Sequence, residues 1–102
     1  MPSLNKTTPK APDQLREHAG EICALLKILA NEDRLMLMCQ IAQGRQNVGE
    51  LEAATGIAQP TLSQQLGVLR QEGLVETEKE GKYVYYRATD DNAQRVMHLL
   101  QD

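Results

Sequence analysis

Between residues 59 and 65 stand Gln59, Thr61, Ser63, Gln64 and Gln65, uncharged side chains that can both donate and accept hydrogen bonds. Their chemistry is recognition, not bond making. An amide matches the major-groove edge of adenine, a hydroxyl suits a base or a phosphate oxygen, and the backbone N–H groups at a helix start favour phosphate. A merely solvated helix face usually carries Glu and Lys, and neither occurs between Gln59 and Leu69. A second chemistry is available at Cys23 and Cys39, the two cysteines of the chain. They match no disulfide framework, so in the cytosol both should rest as thiols, and any bond between them would be a regulated event. Free cysteines also serve as small buried apolar groups, and that reading stays open. His18 and His98 stand alone, and no nucleophile, base and orienting group occur together, so the chain is expected not to be an enzyme.

Elements must hold these groups. Residues 59–65 open a helix expected from about Gln59 to Glu72, with Pro60 at its first position. Leu62, Leu66 and Leu69 form its buried stripe, Gly73 ends it, and Leu74 suits the apolar contact of a Schellman ending. Upstream, Asn47 and Glu50 have capping-box spacing for a short helix through Val48, Leu51 and Ala54 that stops at Gly56. The two helices and the short turn between them have the dimensions of a helix-turn-helix, whose second helix lies in the major groove. An αα-hairpin in any helical domain shares that spacing.

After Gly73 the period changes to that of strands. Leu74–Lys79 and Lys82–Ala88 are β-rich runs joined at Glu80-Gly81, a hairpin signal. Lys79 and Lys82 flank its tip and, with Arg70 of the preceding helix, are the cations placed to meet a DNA backbone. Residues 59–88 carry four basic side chains (Arg70, Lys79, Lys82, Arg87) against four acidic ones (Glu72, Glu76, Glu78, Glu80), and the whole chain is at −3. Affinity for DNA therefore cannot rest on bulk charge, and few phosphate contacts with a modest salt dependence are expected.

Residues 1–12 hold Pro2, Pro9 and Pro12 without periodicity and read as a flexible arm, leaving 13–102 as one DNA-binding and dimerisation domain. Leu15, Ala19, Ile22, Leu26 and Leu29 give an amphipathic helix from Asp13 to Leu29. Asn31 can cap a second helix, apolar on most sides through Leu35, Met38, Cys39 and Ala42, which is expected at the centre of the core. Asp90 or Asp91 caps a last helix with Ala93, Val96, Met97 and Leu100 on one face. The fold class is thus mainly α with a β-hairpin wing: four helices, the hairpin, a fifth helix. With 102 residues, no Phe and no Trp, the core is small and aliphatic, so dimerisation would add burial. No stretch approaches a membrane span and the first ten residues lack the apolar run of a signal peptide, so a cytoplasmic protein is expected.

The run from Gln59 to Val75, QPTLSQQLGVLRQEGLV, followed by Lys79, Gly81, Lys82 and Tyr85-Tyr86-Arg87, closely resembles the ArsR family of winged helix-turn-helix repressors. Leu26 to Leu35, LKILANEDRL, resembles that family's junction between its first two helices, and the resemblance spans about residues 15–100. It implies a homodimer built on the first and last helices that binds double-stranded DNA at an inverted repeat and releases it when an inducer arrives, with no cofactor. Metal ligation is not implied. The helix at Asn47–Ala54 lacks the thiolate pair of the arsenic and cadmium sensors, and Asp90, Asp91 and His98 do not complete the last-helix set of the zinc and nickel sensors. Cys39, in Arg34-Leu-Met-Leu-Met-Cys39, resembles the second-helix cysteine of the sulfide- and persulfide-responsive branch linked to biofilm growth. That branch places its other cysteine in the last helix, whereas here Cys23 of the first helix is the only other thiol. A bridge would need Cα atoms within about 7 Å. Two alternatives remain beside a thiol switch. One is a metal- or metalloid-responsive repressor of the same family, ligated by Cys23 and Cys39 with or without His18, and the other is a winged-helix protein-interaction module that binds no DNA.

Overall fold

The structure, a computed structural model, describes residues 12–101. The expected N-terminal arm lies outside the described residues except for Pro12, which opens the first helix. In chain order the elements are α1 (Pro12–Leu29), α2 (Glu32–Ala42), β1 (Gln46–Asn47), α3 (Val48–Thr55), α4 (Thr61–Gln71), β2 (Val75–Glu80), β3 (Tyr83–Ala88) and α5 (Asp91–Gln101).

Local chemistry sets most boundaries. Asn31 caps α2 by accepting the Arg34 N–H at 3.0 Å. At α3 the capping box is complete: the Glu50 N–H donates to Asn47 Oδ1 and the Asn47 N–H to Glu50 Oε1, both at 2.9 Å. Each bond satisfies a donor that the first helical turn would leave orphaned. Helix α4 ends in a Schellman pair, the Leu74 N–H reaching Leu69 O at 2.9 Å and the Gly73 N–H reaching Arg70 O at 3.0 Å. Gly73 sits there at φ +78°, a conformation in which a Cβ is penalised.

Helix α2 occupies the centre and packs on α1, α3, α4, α5 and β3. It buries Leu37, Met38 and Ile41. Against them lie Leu51 of α3, the Leu62, Leu66 and Leu69 stripe of α4, Leu74 and Val75 at the root of the hairpin, and Ala93 and Met97 of α5. Burying each leucine contributes about 1.5–3 kcal/mol, so the α4 stripe alone anchors that helix firmly.

Four features differ from expectation. A short strand, β1, adds to the edge of the hairpin, pairing Gln46 with Tyr86 and Asn47 with Tyr85, so the sheet has three antiparallel strands in the order β1-β3-β2. The hairpin loop is Gly81-Lys82, one residue later than Glu80-Gly81, because Glu80 pairs with Tyr83 and Gly81 takes φ +62°, as the first position of a type II′ turn demands. Helix α4 begins at Thr61, with Pro60 outside it as the capping residue. On α1, Leu25 and Leu29 face the core while Leu15 and Leu26 of the expected stripe each remain 50% exposed. Among the described residues no helix is long and apolar enough to cross a membrane.

Candidate nucleic-acid interface

With Leu62, Leu66 and Leu69 buried, helical geometry divides the polar residues of α4 into two rows. Ser63, Gln64 and Arg70 are exposed, whereas Thr61 and Gln65 are half-buried on the flank. The five neutral residues at the start of α4 therefore do not form one outward surface, since Thr61 and Gln65 are set back on its flank. Gln59 is exposed in the turn before the helix.

These side chains differ in what they hold. Pro60 offers no side-chain cap, and Gln59 takes that role: its Oε1 accepts the Ser63 backbone N–H at 3.1 Å and the Ser63 hydroxyl at 2.6 Å. Gln65 Oε1 accepts from Arg34 Nη1 at 2.9 Å, while Arg34 Nε donates to the Ile28 carbonyl at 2.6 Å. One guanidinium thus ties the end of α1 and the start of α2 to α4. The Gln64 side chain has no hydrogen-bond partner among the described residues and is the one most available to a ligand.

The hairpin carries its charges on separate sides. Cross-strand register places Glu76, Glu78 and Glu80 opposite Arg87, Tyr85 and Tyr83, and thus on one face with them. Arg45, just before β1, pairs with Glu78 at 3.2 Å and with Glu80, and its guanidinium lies 4.3 Å from the Tyr85 ring centroid. Hydrogen bonding to Glu80, reinforced by the charges of Glu80 and Glu78, raises the Arg45 pKa further above its ordinary value. Arg87 pairs with Glu76. The three strand glutamates are therefore matched locally and do not cancel the cations of the wing. Lys79 lies on the opposite face, paired in register with Val84, and Lys82 occupies the loop, its Nζ 5.5 Å from the Tyr83 ring centroid. Among the described residues Lys79, Lys82 and Arg70 form no ion pair, which leaves their charge available to phosphate.

The two thiols occupy different settings. Cys39 is half-buried on α2, and its Sγ donates to the thioether Sδ of Met97 on α5 at 3.4 Å. Cys23 is exposed on α1. His18 faces Glu21 on the same helix at 3.9 Å, and both line a cavity of about 260 Å³ with Ile22, Asn92 and Arg95 of α1 and α5. Among the described residues no three His, Cys, Asp or Glu side chains cluster closely enough to hold a metal ion. Sequence reading overlooks Arg34 and Arg45 as site residues, because their partners are 31 to 35 positions away.

A helix-turn-helix formed by α3 and α4, beside a β-hairpin wing that carries Lys79 and Lys82, defines a winged-helix DNA-binding protein. The chain belongs to the arsR family of bacterial regulatory proteins, whose family model matches residues 31–77. It is 52% identical over 86 residues to the biofilm growth-associated repressor of Agrobacterium fabrum, covering 84% of this chain and 74% of that protein. Its structure is similar to the transcriptional repressor BigR of Xylella fastidiosa, with a TM-score of 0.85 and 45% identity over 89% of this chain and 93% of that one. A Mycobacterium bovis protein described as a homodimeric winged helix-turn-helix DNA-binding domain gives a TM-score of 0.69 at 32% identity, covering 92% and 87%. These relatives are transcriptional regulators, and this chain is a transcriptional regulator rather than an enzyme.

Proposed function

We propose that the chain is a cytoplasmic repressor that binds an inverted-repeat operator as a homodimer through α4 and the wing, and releases it when Cys39 is oxidised or persulfidated. The observation that carries DNA reading is the exposed, uncharged row at the start of α4, with the Gln64 side chain unengaged among the described residues. Gln59, Thr61, Ser63, Gln64 and Gln65 would supply base and phosphate contacts, and Arg70, Lys79 and Lys82 backbone contacts. Repression is supported by likeness to proteins named as repressors. Dimerisation is supported by the half-exposed Leu15 and Leu26 on α1 and by the homodimeric M. bovis neighbour.

The signal would act through packing. In persulfidation the Cys39 thiol loses its proton to solvent and the thiolate attacks a sulfane sulfur of a polysulfide. A new S–S bond forms, one polysulfide S–S bond breaks, and the shortened polysulfide leaves with the electron pair. The added sulfur must find room where Cys39 Sγ stands 3.4 Å from Met97 Sδ, and Met97 is fully buried. Close-packed interiors do not absorb an extra atom without moving, so α5 would shift against α2 and change the spacing of the two reading helices. Cys23 is the second thiol of this scheme. Its thiolate would attack the inner sulfur of the Cys39 persulfide, expel hydrosulfide and leave a disulfide.

Operator binding measured before and after polysulfide treatment tests the scheme. The parent should lose at least about tenfold in affinity, roughly the 1.4 kcal/mol that a small packing shift can supply, and Cys39→Ser should be insensitive. If Cys39→Ser responds as the parent does, the thiol signal is wrong.

A further inference from the structure

The hydrogen bonds around Gln59 decide more than the start of a helix. A backbone N–H can only donate, so the Gln59 amide atom 3.1 Å from the Ser63 nitrogen must be the oxygen. An amide oxygen can only accept, so the Ser63 hydroxyl 2.6 Å from the same atom must be spending its single hydrogen there. Both lone pairs of Gln59 Oε1 are then used. What remains free on Gln59 is the Nε2 amino group, a donor; what remains free on Ser63 Oγ is its two lone pairs, both acceptors. Both residues are exposed, so both remaining functions face solvent or DNA. Gln65 is biased the same way, since Arg34 has only donors to offer and holds the amide oxygen.

Resting on the DNA-reading role proposed above for α4, we propose that Gln59 and Ser63 form a polarity lock that sets base preference. Locked, Ser63 cannot donate to a phosphate, which presents only acceptors. It selects a base offering a donor in the major groove on the strand it faces, cytosine through N4 or adenine through N6, over guanine and thymine. Gln59 selects the opposite character, an acceptor such as N7 of a purine, O6 of guanine or O4 of thymine, and so disfavours cytosine. Without the lock both side chains would be ambivalent, because a free hydroxyl and a free amide each match every base. The bond that starts α4 thereby also fixes what its first turn can read.

The test is selection of bound sequences from a randomised half-site library by the full chain and three variants, with helicity checked by circular dichroism. Ser63→Ala identifies the base pair that Ser63 reads, as the position where preference collapses. Gln59→Ala frees the Ser63 hydroxyl, so guanine and thymine should be admitted at that position, with discrimination falling roughly tenfold. Gln59→Glu keeps two acceptor oxygens for Ser63 and hence the cap. It should leave preference at the Ser63 position intact while abolishing the acceptor preference at the Gln59 position. The proposal is overturned if Gln59→Ala leaves preference at the Ser63 position unchanged, or if Ser63→Ala weakens all sequences equally, the mark of a phosphate contact. If the parent itself enriches no sequence, the DNA-reading role fails first and takes this inference with it. Parent selectivity that survives in Gln59→Ala rejects the lock alone.

Discussion

Helices α1 and α4 each bury one face in the same core, yet their remaining faces have opposite character. Around the start of α4 the residues outside the core are polar, and three of them already hold partners: Gln59 of the preceding turn with Ser63, and Gln65 on the flank with Arg34 of α2. On α1 the outer face keeps Leu15 and Leu26 half exposed, with Cys23 exposed on the same helix. Polar groups fixed by internal bonds have little conformational entropy left to lose on binding, which is how a surface gains selectivity with few charges. Apolar side chains left in water contribute only when something covers them. Helix α4 is thus finished within one chain, whereas the outer face of α1 is left uncovered within it, and the proposed homodimer would cover that face with another copy.

The comparison breaks most visibly at Leu26. Because Leu26 lies outside the core, Leu26→Glu should leave the fold intact but put a charge into the proposed dimer interface. Sedimentation should show a monomer, and operator affinity should fall on the order of 100-fold, the scale of lost bivalency. A Leu26→Glu protein that stays dimeric would mean that this face of α1 meets something else. The wing supplies a smaller effect. Lys79→Ala and Lys82→Ala together should lower the slope of log affinity against log salt by about one for each phosphate left without its lysine, with sequence preference unchanged. A changed preference would make the lysines base readers and blur the division of labour between wing and helix.

What the sequence reveals of this design depends on the range of the interactions involved. The caps at Asn31 and Asn47, the Schellman ending at Gly73 and the Leu62, Leu66, Leu69 stripe all act within about one or two turns, and all are readable from spacing. Strand β1 has two residues with no pattern of their own, and exists because Tyr85 and Tyr86 offer an edge to pair with. The apolar run on α1 is legible as amphipathic, but apolar residues stand on both its buried and its exposed side, so spacing alone cannot separate core-facing Leu25 from outward Leu26. The candidate site divides in the same way. That Gln and Ser crowd the start of α4 is plain from the sequence, whereas the engagement of Gln65 depends on Arg34, 31 residues earlier. The role of Gln59 is masked by Pro60, which promises a helix start one residue too early and places Gln59 among the readers alone.

Helix α4 is proposed to read sequence through neutral side chains. Gln64 tests it most directly, because its side chain is exposed and engaged in no internal bond among the described residues. Affinity for the selected operator and for unrelated duplex should be measured side by side, for the parent and for Gln64→Ala. Operator affinity should fall about tenfold to a hundredfold while binding to unrelated duplex stays the same. An unchanged operator affinity, or an equal loss on both DNAs, would contradict it.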